Sequence, residues 1–291
     1  MEREKEPPRV RAESFSPGWQ PLGQGLFYTT ARFLDPKLEF WAIKADLSET
    51  ALRIVVSGAE EEALSNRVLS AKVSSFVRDN GLIAGINTVP FDTVSAKEGE
   101  ERQCIGIVIS GGKMIAPPVS GYDALVFYNE RGSINERNVK KAAILPQDAI
   151  KTFDGIENAV GGFHIILSNG ELPERLLLNT TSANNQESFS KDAPRHPRSA
   201  AGLSNGGTIL YLLVIDGRRP GSKGATEAET ALILKKLGAE DGLNFDGGGS
   251  SALALRFSDG NVKTLNTPIH GGIPGRERAV AACLGIGTVA K

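Results

Sequence analysis

The chain has 291 residues, enough for one large domain or two small ones, and its 40 % hydrophobic and 23 % charged residues are those of a globular protein. A formal net charge of -1 at pH 7 gives no reason to expect nucleic acid or an anionic membrane as partner, so any anion site has to be built locally. No apolar stretch approaches the roughly 20 residues of a transmembrane span, and the charged opening MEREKEPPRVRAES is not a signal peptide.

Residues 1–20, charged and proline-containing, are expected to form an extended or mobile lead-in. GLFYTTARF, LEFWAIKAD and ALRIVVSG follow, rich in β-branched and aromatic residues and separated by Pro, Asp and Ser, and they predict three strands. In EEALSNRVLSAKVSSFVRDNG, residues Leu64, Val68, Leu69, Val73 and Phe76 recur at helical spacing, which predicts one or two helices ending at Asn80-Gly81. Further strands are expected at LIAGIN, IGIVIS and ALVFYN, and at GGFHIILSNG, whose Asn169-Gly170 suits a tight hairpin. The segment NTTSANNQESFSKDAPRHPRSA is polar, rich in breakers and long for a connection, so it reads as a functional loop. Its Asn179-Thr180-Thr181 is formally a glycosylation sequon.

TILYLLVID is a continuous apolar run, as expected of a strand covered on both faces. After GRRPGSKGA comes TEAETALILKKLG, with Thr226 and Glu229 at capping-box spacing and Gly238 placed as a C-cap. GLNF then leads into Asp246. Strand, helix and strand over this length predict a parallel βαβ unit. The expected fold class is α/β of the mixed α+β kind: central mixed β-sheets with flanking helices, including this C-terminal unit. Parallel pairing would put Asp216 and Asp246 at one carboxyl edge, the edge at which ligands bind in α/β sheets.

Asp246 is followed by Gly247, Gly248, Gly249, Ser250 and Ser251. The glycines can turn sharply and present backbone N–H groups to a bound oxygen, and the serines add hydroxyl donors. A bulge in a continuing strand is the plainer reading. Three consecutive glycines cost more backbone entropy than a plain turn requires, which favours a functional turn; it is not a P-loop, because the Lys and the following helix are missing. Arg195, His196 and Arg198, in RHPRSAAG, form either a phosphate-binding cluster or a solvated basic loop. Asp216, Arg218, Arg219, Ser222 and Glu227 surround the predicted helix start, whose dipole favours anions. They mark a phosphate site, a divalent-ion site with Asp216 and Glu227 on Ca²⁺, or simply the point where a strand reaches solvent. Asn87, and Arg276 and Arg278, would each read alone as surface. Cys104 and Cys283 are too few for a disulfide scaffold and lack metal spacing. They form one bridge or two buried thiols, and their apolar surroundings favour thiols.

In order along the chain, GIN, a GG before an apolar run ending in NG, RHPRSAAG, VIDGRR, GATEAETALILKKLGAEDGLNFDGGGSSAL and GRERAV resemble the phosphodiester glycosidase family over roughly residues 25 to 290. The resemblance implies a single catalytic domain over 21–291 and hydrolysis of an α-linked sugar-1-phosphodiester, of the N-acetylglucosamine-1-phosphodiester type. Cleavage would fall at the anomeric carbon and release the sugar and a phosphomonoester. Carried onto this chain, the site would gather Asn87, Gly162, His196, Arg198, Asp216, Arg218, Asp246, Gly247, Gly248, Gly249, Ser250, Ser251 and Arg278. Asp246 is the first candidate, and Asp216 the second, for the carboxylate that attacks or activates water against an oxocarbenium-like transition state. Arg198 and Arg218, with the glycine N–H groups, would stabilise a phosphate leaving group that is already acidic. His196 would protonate the leaving oxygen or orient the phosphate.

No cofactor is required by this chemistry. The expected partner is the sugar-1-phosphodiester itself; in an envelope glycopolymer it would place the protein outside the cytoplasm, periplasmic or secreted, by family analogy. Two departures stand out: TVPF follows Asn87 where the family continues with Gly and aromatics, and VGGFH replaces a Ser-Gly-Gly-Pro type of turn. They leave open a non-catalytic sugar- or phosphate-binding envelope module. The same arginines and aspartates would also suit a metal-dependent phosphodiesterase.

Overall fold

A computed structural model of the chain describes residues 9–10, 14–58, 60–130, 139–152, 155–177 and 194–289. The loop segment 179–193 with its sequon, and residues 1–8 and 11–13 of the lead-in, lie outside the described residues. Phe15, within the described part of the lead-in, stacks edge-on against Phe33 and Phe40.

The molecule is mostly β-sheet. In the largest sheet the strands run Arg9–Val10, Leu26–Leu34, Lys37–Asp46, Ile209–Ile215, Arg198–Ser204, Asp241–Asn244 and Ile165–Leu167, with Gln20–Gly23 added alongside Leu26–Leu34. A second sheet orders Lys113–Ala116, Val108–Ser110, Ile156–Gly161, Asp123–Glu130 and Val139–Pro146, and a third Val262–Thr264, Leu253–Arg256, Ala84–Asn87, Cys283–Thr288 and Leu52–Val56. Apart from the parallel pair of Arg9–Val10 with Leu26–Leu34, the described ladders are antiparallel.

Period-two alternation decides which face of each strand is covered. Along Ile209–Ile215, Leu210, Leu212 and Val214 enter a core shared by all three sheets, where they meet Ile43, Val56, Ile86, Phe127, Leu253 and Leu284. Tyr211, Leu213 and Ile215 face the other way, beneath Ala231, Ile233, Leu234 and Leu237 of the helix Glu227–Leu237. The apolar run is therefore covered on both faces, as expected. That helix starts on the predicted capping box between Thr226 and Glu229, and it ends at Gly238, whose φ of 107° belongs to the left-handed region that favours glycine.

Two expectations need correction. No parallel βαβ pair forms, because Arg198–Ser204 stands between Ile209–Ile215 and Asp241–Asn244 and is hydrogen-bonded antiparallel to both. The two outer strands therefore still run in the same direction, and Asp216 and Asp246 still leave the sheet at one edge. Nor is the segment around residues 60–79 helical throughout. Leu64 and Asn66 hold φ of 56° and 58°, which breaks a helix, and Arg67–Leu69 is a strand with Val68 buried and Leu69 exposed. Only Val73–Asp79 is helical, packed through Val73, Phe76 and Val77 on the outer face of the third sheet. At the predicted hairpin, Asn169 and Gly170 both take positive φ and Ser168 pairs with Glu171. Cys104 and Cys283 are free, buried thiols, and burial pushes the Cys104 thiol up to about 12.

Candidate active site

The stretch FDGGGSS is the corner at which the chain leaves the first sheet and enters the third. Phe245 donates its N–H to Ser199 O in the first sheet at 2.9 Å, and Asp246 donates to Thr88 O, just past the third-sheet strand Ala84–Asn87, at 2.8 Å. Buried Asn87 locks the corner: its Nδ2 donates to Asp246 O at 2.6 Å, while its Oδ1 accepts from Ser199 Oγ at 2.7 Å and Ala252 N at 3.1 Å. Both polar atoms of its side chain are thus engaged with protein and the residue is buried, so Asn87 shapes the turn from behind.

The Asp246 carboxylate is partly open to solvent but closely surrounded by protein, and burial pushes its pKa up to about 6. Hydrogen bonds from the Ser250 hydroxyl and Gly247 N–H, and the charge of Arg278, oppose that rise without cancelling it. Arg278 Nη1 donates to Ser250 Oγ at 3.0 Å. A Cβ added at Gly249 would collide with the Arg278 guanidinium, and one at Gly248, whose φ is 63°, would lie 3.1 Å from Arg218 Nη2. Two of the three glycines are therefore needed so that two arginine heads can lie against the backbone. Arg218 is exposed and holds a left-handed φ of 58°, an uncommon conformation of the kind that accumulates at functional sites.

Each of these arginines touches a histidine. Arg218 Nη2 lies 3.2 Å from His196 Nδ1, and Arg278 Nε donates to His270 Nδ1 at 3.2 Å. A guanidinium has no acceptor, so each Nδ1 must accept, and each ring is neutral with its proton on Nε2. Electrostatics agree. Burial lowers the pKa of His196, helped by Arg198 and Arg218, and burial lowers that of His270, helped by Arg278 and Arg276. His270 was missed by the sequence reading; its signal was a histidine beside two glycines, eight positions before Arg278.

Other predicted residues take other places. Asp216 reaches the same sheet edge but turns inward and is 1 % exposed. Its carboxylate accepts from Arg219 Nε at 2.8 Å, Asn266 Nδ2 at 3.1 Å and Thr267 N at 3.0 Å, and Arg219 in turn binds Glu39, which also binds Arg32. Burial raises the Asp216 pKa while these partners oppose the rise. Buried Ser222 links Asp216 O to Glu39 N. Arg195 makes a two-pronged pair with buried Glu229. Arg198 donates to Ala225 O at 3.0 Å and lies 3.8 Å from Glu227, which also pairs with Arg175 at 2.7 Å. His196, Arg198, Thr226 and Glu227 line a groove of about 420 Å³ at the start of the helix. Asp216 and Glu227 are thus engaged with separate partners, and among the described residues no group of three or more His, Cys, Asp or Glu is placed to hold a metal ion. Gly162 serves packing: a Cβ there would lie 2.7 Å from Asn244 O. Ser251 is buried behind the corner.

Solved structures share this fold. The catalytic domain of zebrafish N-acetylglucosamine-1-phosphodiester alpha-N-acetylglucosaminidase, auto-inhibited by its pro-peptide, is similar over 96 % of this chain and 86 % of its own, at TM-score 0.63 and 19 % identity. A hypothetical protein from Synechocystis is similar over 96 % of this chain at TM-score 0.62 and 14 % identity, and this chain spans 65 % of its length. A protein from Burkholderia pseudomallei K96243 described as exported is similar over 86 % of this chain and 74 % of its own, at TM-score 0.57 and 14 % identity. No curated protein sequence matches significantly. The sequence profile of phosphodiester glycosidases matches residues 80–287 of the 291, from the end of the first helix to the last strand, and the chain belongs to the phosphodiester glycosidase family.

Proposed function

We propose that the protein hydrolyses an α-linked sugar-1-phosphodiester at the anomeric carbon. The observation that carries this reading is the Asp246 carboxyl, pushed up to about 6 and set on a glycine turn between two arginine heads. Water adds at the anomeric carbon, the bond from that carbon to the phosphate oxygen breaks, and the electron pair leaves on the phosphate. Asp246 supplies the carboxylate for attack or for activating water, and Arg218, Arg278 and the N–H groups of the turn balance the charge on the departing phosphate. A phosphomonoester leaving group has a second pKa near 6, so its departure needs charge stabilisation more than a strong acid. That suits neutral histidines, which donate hydrogen bonds without carrying charge.

The N-acetylglucosamine type of substrate is drawn from the activity named for the zebrafish relative. Exported location, with an envelope glycopolymer as the natural diester, is drawn from the Burkholderia relative and from the chemistry of such polymers. No helix among the described residues is long and apolar enough to cross a membrane. The test is to incubate the protein and its Asp246→Asn variant with a small α-N-acetylglucosaminyl-1-phosphodiester in isotope-labelled water and follow it by NMR. Free sugar carrying the label, from the parent alone, supports the reading. Label in the phosphate would instead mean P–O cleavage, and tight binding without product a non-catalytic module.

A further inference from the structure

The segment from Asn266 to Arg278 is built as a fixed wall of the site. Thr267 N donates to both carboxylate oxygens of Asp216, at 3.0 and 3.1 Å, and Asn266 is tied to Asp216, Ser251 and Leu253. At the other end the Glu277 carboxylate accepts from Ser74 N at 3.0 Å and Ser74 Oγ at 2.6 Å. Across the segment, His270 N donates to Arg276 O at 2.9 Å and Gly275 N to Pro268 O at 2.7 Å, while Ile269 is buried beneath. The short turn His270–Gly272 packs against the turn Gly248–Ser250. His270 is thereby delivered to the Asp246 corner by anchors at both ends of the segment.

Charge placement at the corner points to what these groups are for. Arg218 and Arg278 lie over successive glycines and are near enough to repel one another, with the Asp246 carboxylate as the opposing charge. Each is oriented by the Nδ1 of one histidine, and among the described residues no acceptor takes the Nε2–H of either ring. Two cations lying over one turn, each backed by a neutral histidine that keeps an Nε2–H donor, match a tetrahedral oxyanion, which offers several acceptors and the negative charge that relieves the repulsion.

We propose that His270 is a further substrate-binding residue: it donates Nε2–H to a non-bridging oxygen of the phosphate group, while its Nδ1 holds the Arg278 fork toward the same group. His196 and Arg218 form the matching couple, so the phosphate is gripped by two histidine–arginine couples. This deepens the function proposed above and rests on it for the identity of the ligand.

Inorganic phosphate binding, followed by calorimetry for the parent and for His270→Ala, His270→Asn and His270→Gln, tests it without needing turnover. Loss of a hydrogen bond to a charged group corresponds to about 10- to 100-fold weaker binding, expected for His270→Ala. His270→Gln, which keeps a donor near the Nε2 position, should recover most of the affinity, and His270→Asn should not. With the diester, KM should rise by a similar factor in His270→Ala and kcat change less. Unaltered melting temperatures identify the folded variants, and His270→Asn, held to the same expected loss, serves if the alanine variant does not fold. Parental phosphate affinity in His270→Ala, equal losses in His270→Gln, or no phosphate binding by the parent would each overturn the clamp. A parent that binds phosphate through His270 but releases sugar from no diester would overturn the glycosidase reading alone. Sugar release by the parent with KM for the diester unchanged in His270→Ala would overturn the clamp alone.

Discussion

Replacing Asp246 with Asn should make the protein slower and more stable at once. In the folded state the carboxyl has risen from an ordinary value of 3.8 to about 6, so folding favours its neutral form. At about 1.36 kcal/mol per pKa unit, holding it ionised at pH 7 costs about 3 kcal/mol. The sign follows from linkage: between about pH 4 and 6 the folded state keeps a proton that the unfolded chain has lost, so stability falls as pH rises through that window and stays reduced above it. Asparagine removes the ionisation, and at pH 7 the variant should gain up to about 3 kcal/mol. For a chain of this size that raises the melting temperature by roughly 6 °C. The gain should shrink steeply toward pH 4 and vanish near pH 3, below both pKa values, where aspartic acid is neutral in both states. Activity should drop by about 100- to 10,000-fold, and the parent's activity should fall on acidification below about pH 6 rather than pH 4. Paired thermal melts of the two proteins from pH 4 to 8 read the stability side directly. A variant less stable than the parent at pH 7, or a gain that does not depend on pH, would refute the reasoning.

Gly249→Ala places a methyl group on the Arg278 guanidinium; KM for the diester should rise roughly tenfold while urea unfolding changes little, because a flexible side-chain end can move aside. Asp216→Asn should destabilise the fold by about 3 kcal/mol, since it weakens a buried pairing with Arg219 and the anchor of Asn266 and Thr267; a fully stable variant with lost turnover would instead make Asp216 a reacting carboxylate. Exhaustive chelation should leave turnover unchanged, and recovery of a lost rate by Ca²⁺ would reverse that expectation.

Features set by neighbours along the chain were legible beforehand. The Thr226 and Glu229 capping box, the Gly238 cap and the Asn169-Gly170 turn each depend on a few adjacent residues, whose backbone preferences act before any tertiary contact forms. That FDGGGSS is more than a continuing strand was readable for a similar reason, because three glycines are costly wherever they fall, and the structure makes it a corner between two sheets. Helical spacing misled around Leu64 to Leu69, where two residues of left-handed φ and a strand pairing with Glu101–Gln103 overrode the pattern.

What only the tertiary structure decided is which of these groups face one another. Asp216 and Asp246 look equivalent in the sequence, each a carboxylate at the end of an apolar strand. Asn266, Thr267 and, through Arg219, the Glu39 network enclose the first, while Ser250 and Arg278 leave the second at the surface of a corner. Likewise the insertion of Arg198–Ser204 between two strands separated by one helix, and the meeting of His270 with Arg278, depend on pairings across long stretches of chain. Local sequence carries propensity and periodicity; which carboxylate is enclosed by partners and which is left partly open on a corner is set by long-range packing and by the dielectric that packing creates.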